Sequence, residues 1–255
     1  MNYVNDGPVI AKINGNKKKV YVSSELEEKE HQHREIKLPI GQSFQIVPNP
    51  ETEREILMII GSSGSGKSYF AKQYCAEYTK LHPKNQIYLL SSLTSDPTVD
   101  SIKNLNRLDI NHEDFLDEPI DVESFANSLV IADDCEAITN KLLRAKITAI
   151  LDQLLTIGRH HNISVIFINH TACDGARTKK ILNECSSITI FLRTLGGKAL
   201  DYLLKSYMAL DTKQVKKLKK MRGHGRACTI LKSYPQVAIT DRMAYVIGDD
   251  DDDDV

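Results

Sequence analysis

Three features of this sequence predict an α/β fold, with a mainly parallel sheet covered by helices on both faces and a hairpin near the C-terminal end. Short apolar runs at 56–60, 87–90, 129–132, 163–168 and 188–192 read as strands buried on both faces. Stretches with helical spacing lie between them, so strand, helix and strand recur, which is the pattern of a parallel sheet under two helical layers. Directly after the first run comes the octapeptide GSSGSGKS, followed by a helical stretch beginning at Tyr69.

With 255 residues, 41% hydrophobic and 26% charged, the chain is long and apolar enough to bury a sizeable core. No apolar run approaches the roughly 18 residues of a membrane helix, and residues 1–19 place Asn, Gly and Lys where a secretory signal is apolar. A soluble, unexported protein with no transmembrane segment is expected. Cys75, Cys135, Cys173, Cys185 and Cys228 are odd in number, widely spread and form no C-x-x-C pair, which fits a reducing compartment and no zinc or redox pair. The net charge of −1 hides an asymmetry: the aspartates of 249–254 carry −6, so residues 1–248 carry +5.

Residues 1–43 mix both charge signs with little sustained periodicity and read as an N-terminal arm with one hairpin or short helix. The core begins near Phe44, giving an expected domain over 44–248. Its clearest helix is 140–157: Asn140 can cap it, Leu142, Leu143, Ala145, Ile147, Ile150, Leu151, Leu154 and Leu155 supply an apolar stripe, and Gly158 stops it. A second helical region over 199–220 should break near Asp211, before a small hairpin made by 227–231 and 237–240. Residues 249–255 form an acidic, solvated tail, since adjacent like charges repel.

GSSGSGKS in a strand-loop-helix context is the phosphate-binding P-loop pattern. The glycines Gly61, Gly64 and Gly66 let the chain turn tightly, and with Ser62, Ser63 and Ser65 they aim backbone amides at phosphates. Lys67 then reaches the β- and γ-phosphates, Ser68 ligates Mg2+, and Tyr69 opens the helix whose N-terminus adds positive potential. The ligand this predicts is ATP with Mg2+. A second acidic strand must face this loop, and LVIADD supplies it, with Asp133 for the metal and Asp134 for the attacking water. Glu136 competes with Asp134 as the base. The run SVIFINH ends in Asn169 and His170, either of which can sense a γ-phosphate or simply cap the strand.

Between 198 and 232 ten Lys and Arg face only Asp201 and Asp211, a local charge of +8. Lys213, Lys216, Lys217 and Lys220 share one helical face, a stripe suited to phosphate backbones and not to base reading, or else a solvated surface. Arg222 and Arg226 flank the turn MRGHGR, and Arg226, Arg222 or Arg159 can serve as a finger entering a neighbouring subunit's ATP site.

Other P-loop classes fit less well. The chain has no N-K-x-D or D-x-x-G for a GTPase, and the nearest match to a transport-ATPase signature, Leu195-Gly196-Gly197-Lys198, follows the acidic strand where it should precede it. A nucleotide or metabolite kinase, with Arg177, Lys179 and Lys180 in a lid, and a non-motor nucleotide switch remain as alternatives.

GSSGSGKS, LVIADDC, GRHHNISVIFINHT, ILNECSSITIF and YLLKSYMALDTKQVKKLKK followed by GRACTILKSYP together resemble the genome-packaging ATPases of nucleocytoplasmic large DNA viruses, of the FtsK/HerA superfamily. The resemblance covers roughly 56–240. It implies a RecA-like core in a homo-oligomeric ring, pentameric or hexameric, that hydrolyses ATP to drive double-stranded DNA into a capsid. It further implies viral capsid or membrane-associated packaging proteins as partners, and the virus factory in the host cytoplasm, or the virion, as the location. Bacterial FtsK and archaeal HerA relatives place Glu where Asp134 stands and Gln near His170, and this chain has neither a winged-helix module nor a nuclease domain.

Overall fold

The computed structural model describes residues 1–16, 18–23, 31–173 and 175–248, and for Glu136 and Arg177 the backbone. The acidic tail and the side-chain roles considered for Glu136 and Arg177 therefore lie outside the described residues. In chain order the strands and α-helices are β1 (Val9–Asn14), β2 (Lys19–Tyr21), β3 (Glu35–Lys37), β4 (Ser43–Ile46), β5 (Ile56–Ile60), α1 (Lys67–Leu81), β6 (Gln86–Ser91), β7 (Leu105–Asp109), β8 (Ser128–Asp133), α2 (Lys141–Thr156), β9 (Ser164–Asn169), α3 (Gly175–Glu184), β10 (Ser187–Ile190), α4 (Gly197–Tyr202), α5 (Thr212–Lys220), β11 (Cys228–Leu231), β12 (Gln236–Thr240) and β13 (Met243–Ile247). They fall into two units: Met1–Glu51, Ile60–Ser65 and His170–Val255 form the first, Thr52–Ile59 and Gly66–Asn169 the second.

The second unit is built on strands in the order β5-β9-β8-β6-β7. Its β9-β8, β8-β6 and β6-β7 pairs are parallel, with Asp133 in register with Ser91 on one side and Ile168 on the other. All residues of β5 and β8 are buried, which is why both appear in the sequence as unbroken apolar runs. The edge strand β7 (LNRLD) was not expected: it is half-exposed and polar, so its membership depends on pairing with β6. Helix α1 buries Ala71, Tyr74, Cys75 and Tyr78, and α2 buries six residues of the expected stripe, Leu143, Ile147, Ile150, Leu151, Leu154 and Leu155, whereas Leu142 and Ala145, also expected in it, fall on the outer side of the helix and are exposed. Asn140 caps α2 as expected, its Oδ1 accepting from the Leu142 and Leu143 amides.

At the other end of α2 the structure adds a contact that the sequence hides. The Arg54 guanidinium donates to the Leu154 and Leu155 carbonyls, 2.8 Å each, and so satisfies acceptors that a helix end leaves unpaired. Gly158 makes room for it, because a Cβ there would lie 2.9 Å from Arg54 Nη1. Replacing Arg54 by Ala should cost about 2 kcal/mol, and calorimetry should find Tm lower by about 4–8 °C.

The first unit is antiparallel. A three-stranded sheet runs β2-β1-β4, and the β10-β11, β11-β12, β12-β13 and β13-β3 pairs form a meander. The expected hairpin is thus β11-β12, widened by β13 and by β3 from far upstream. The long helical region is α4, a π-helical turn Leu203–Tyr207, and α5, separated near Asp211 as expected. Asp211 starts α5 through a reciprocal capping box with Gln214 (Gln214 N to Asp211 Oδ1, 2.8 Å; Asp211 N to Gln214 Oε1, 3.0 Å).

Cys75, Cys135, Cys185 and Cys228 are buried and Cys173 half-buried. Burial pushes the thiols of Cys75 and Cys228 up to about 12 and that of Cys185 to about 11, and it raises Cys173 as well. Because the thiolate is the reactive form, iodoacetamide at pH 8 should label Cys173 first and the others only after unfolding, as mass spectrometry of the native and unfolded chain can check.

Candidate nucleotide-binding site

In the second unit the chain leaves β5, passes over β9 and β8, and returns as β6, so the carboxyl ends of these strands flank the place where strand order reverses. Such switch points are where open parallel sheets bind ligands. Of the residues expected to carry chemistry, Lys67, Ser68, Asp133, Asp134 and Asn169 belong to this unit. Lys67 is the first residue of α1 and 7% exposed, and Asp133 is the last of β8 and 5% exposed. Two ionisable side chains of opposite sign buried in one unit are costly to place unless charge and hydrogen bonds compensate them, which makes them the candidate site. Ser68 is half-buried next to Lys67, and Asn169, the last residue of β9, stands one position beyond the partner of Asp133. His170 follows and is half-buried.

Local backbone chemistry shapes the loop before α1. Gly66 takes φ 111°, a left-handed conformation that costs a residue with a Cβ, and places the turn directly before the helix; its N-cap position has no side chain to occupy the first amides. Phe70 N makes an early intrahelical bond, to Gly66 O at 3.0 Å, and no acidic residue lies in the first turn. Gly61 is a packing requirement, since a Cβ would sit 2.6 Å from Ser65 Oγ and 3.0 Å from Phe191. Ser65 N donates to Ser62 O (3.2 Å), whereas the buried Ser65 Oγ has no hydrogen-bond partner. An orphaned hydroxyl inside a glycine-shaped cradle is what a loop built for an oxygen-rich anion leaves behind. Ser62, Ser63 and Gly64 are exposed, and Tyr69 is 60% exposed on the first turn of α1. Ser68 and Asp133 offer oxygen donors, the chemistry a hard cation such as Mg2+ requires.

Asp134 differs from its neighbour in backbone as well as burial. Its φ of 50° is left-handed, tolerable for Asp, and ends β8 at once. The chain turns into a 3-10 helix, Cys135–Ala137, closed by Ala137 N on Asp134 O (3.0 Å) and tied to β6 by Cys135 Sγ on Leu90 O (3.4 Å). The consecutive aspartates thus sit on a strand end and on a turn.

Two expected arginine candidates lie in the first unit. Arg226 is exposed, its amide held by Asp241 Oδ2 at 3.0 Å. Arg222 is exposed in the 3-10 turn Met221–Gly223 after α5. Arg159, in contrast, precedes β9, so a strand of six residues, about 20 Å, separates it from the Asn169 end; its Nε pairs with exposed Glu53 at 3.3 Å.

The lysine stripe forms as the helical spacing predicts. Helix α5 buries Gln214, Val215 and Leu218 and leaves Lys213, Lys216 and Lys220 exposed. Lys217 is half-buried, its ammonium 3.6 Å from the Tyr245 ring centroid, so it is partly committed to packing. The four lysines line a cleft of about 510 Å3 with Glu35, Lys37, Met221, His224 and Met243. Sequence reasoning missed Lys37 and His224, which reach the cleft through β3 and the turn after α5.

Fold and site together define a RecA-like P-loop protein with a mixed sheet flanked by helices. The DNA-packaging ATPase B204 of Sulfolobus turreted icosahedral virus shares this fold, at TM-score 0.50 and 18% identity over 77% of this chain and 100% of B204. B204 of Sulfolobus turreted icosahedral virus 2, a genome packaging NTPase solved in complex with ATP-gammaS, aligns at TM-score 0.48 and 17% identity over 77% and 100%. No protein-family model matches the chain. In sequence it is 35% identical over 240 residues to the uncharacterized protein V3 of Sputnik virophage, covering 92% of this chain and 94% of V3. The chain belongs to the family of that V3 protein, and its likeness to viral genome-packaging ATPases holds in fold.

Proposed function

We propose that this protein is an ATP-driven double-stranded DNA translocase of the FtsK/HerA superfamily that packages a viral genome into its capsid. One observation carries the reading: within one unit Lys67 and Asp133 are both buried, Lys67 opening α1 directly after the left-handed Gly66 and Asp133 closing a strand of the parallel ladder. ATP is the substrate this arrangement suits. The loop of Gly61, Ser62, Ser63, Gly64, Ser65 and Gly66 holds its phosphates, Lys67 neutralises charge on the γ-phosphate as it grows, and exposed Tyr69 offers a ring beside the helix start. Ser68 and Asp133 would hold Mg2+, which would supply positive charge against that of the phosphates. Asp134 orients the attacking water, and Asn169 or His170 reads the γ-phosphate. Arg226, or Arg222 or Arg159 in its place, enters from the neighbouring subunit of a pentameric or hexameric ring.

The lysines of α5 are the DNA contact: Lys213, Lys216, Lys217 and Lys220 engage phosphates without reading bases. In this reading 1–43 is an arm, 44–248 the ATPase domain and 249–255 an acidic tail. Viral capsid or membrane-associated packaging proteins dock the ring, in the virus factory of the host cytoplasm and in the virion; no described helix is long and apolar enough to cross a membrane.

ATP hydrolysis with and without duplex DNA, beside a mass determination of the assembly, tests this. Faster turnover on DNA and a ring-sized mass are expected. A small acceptor requirement in monomers would instead favour a kinase, and nucleotide binding without turnover a switch. No rise in turnover and no affinity for duplex at low salt would remove the translocase.

A further inference from the structure

We propose that Arg193 is a positioning residue that couples polyanion binding on α5 to nucleotide binding in the P-loop. This rests on the reading just given, in which the loop takes ATP and α5 takes DNA, and it assigns a role to a segment used in neither.

Residues 191–194 follow β10 and bracket the first half of the P-loop, within the same unit. Phe191 N donates to Ile60 O at 3.0 Å, and the Phe191 side chain packs where a Cβ on Gly61 would collide. Thr194 Oγ1 donates to Phe191 O (3.1 Å) and accepts from the Ser62 amide (3.4 Å). The bracket therefore holds the carbonyl that precedes the loop and one amide of the cradle itself.

Arg193, between these two, reaches elsewhere. Its Nε and Nη2 both donate to the Arg222 carbonyl, at 3.2 and 3.0 Å. That carbonyl belongs to the turn Met221–Gly223, which ends α5. A guanidinium on a carbonyl just past a helix end is a charge-assisted contact favoured by the helix dipole. Next to it a cavity of about 590 Å3, lined by Leu192, Arg193, Leu195, Gly197, Leu200, Lys219, Arg222 and Gly223, leaves space for the turn to shift. Lys219 on that wall pairs with Asp201 of α4 at 2.5 Å, so the far side of α5 is also tethered.

The path is thus short and continuous: Ser62, Thr194, Arg193, Arg222, α5. A polyanion that draws the exposed lysines of α5 displaces the turn, and through Arg193 the bracket and the Ser62 amide. By linkage the effect is reciprocal, and bound nucleotide changes DNA affinity by the same factor.

The test is a binding cycle on the full chain, with a fluorescent non-hydrolysable ATP analogue and a short labelled duplex. In the wild type, duplex should change analogue Kd by about 5-fold or more. In Arg193→Gln the ratio should fall to about 1, each separate affinity staying within about twofold of wild type, and Arg193→Lys should be intermediate. Thr194→Val should uncouple similarly and Thr194→Ser restore the ratio, which keeps the proposal testable if Arg193→Gln folds poorly. A wild-type ratio surviving in Arg193→Gln overturns the proposal, as does loss of either separate affinity, which would make Arg193 a ligand. A wild type that binds both with a ratio of 1 removes the coupling and leaves the function standing. A wild type that binds neither removes both.

Discussion

Lys67→Ala should reduce ATP hydrolysis by at least ~10²–10³-fold, the range seen when one charge-stabilising donor is removed from a preorganised site. The physical reason is position. Lys67 is 7% exposed at the first turn of α1, so its ammonium acts in a partly desolvated place where water screens it poorly. A shorter apolar side chain leaves the growing phosphoryl charge to the loop amides, which remain. Phosphate release measured at saturating ATP reads the loss in kcat, and a melting temperature within a few degrees of wild type shows that the fold persists. Hydrolysis within tenfold of wild type would mean that the loop does not house the reacting phosphate.

Reversing two charges on α5, Lys216→Glu with Lys220→Glu, should weaken duplex binding by roughly tenfold or more at low salt. It should also make the plot of log affinity against log salt shallower by about 2, about one unit for each lysine that no longer neutralises a phosphate. These two are chosen because both are exposed, whereas Lys217 stacks on Tyr245 and its replacement would disturb the meander as well. DNA-free turnover in the same preparation is the internal reference: loss of that too means misfolding, and unchanged duplex affinity moves the DNA-binding surface off this helix.

The parts of the fold that could be read in advance are those whose cause is local. Strands β5, β8 and β9 are buried on both faces, so each is an apolar run, and α2 announces itself by its stripe and its Asn140 cap. Asp211 marks the break before α5 because an acid at an N-cap, with Gln214 three residues on, is a short-range signal. Strand β7 gave none, being polar and held by its neighbour, and β3 joins β13 across some two hundred residues of chain. The site divides the same way. Gly66 and Lys67 are adjacent in sequence and need only the left-handed turn, and Asp133 ends an apolar run.

Arg54, Thr194 and Arg193 carry no such mark. Each acts on a backbone atom remote in sequence, the α2 carbonyls, the Ser62 amide and the Arg222 carbonyl, and a backbone atom is the same in every residue.

What the sequence determined alone was therefore the glycine-rich loop before α1, the acidic strand end, the capped helices and the lysine face of α5, because φ preference, strand burial and helical period act over a few residues. Which loop braces the P-loop, which side chain closes α2 and which strands flank the meander were decided only in three dimensions. There the meeting of distant segments is set by the packing of the whole core, and the side chains at those contacts have no pattern of their own to betray them.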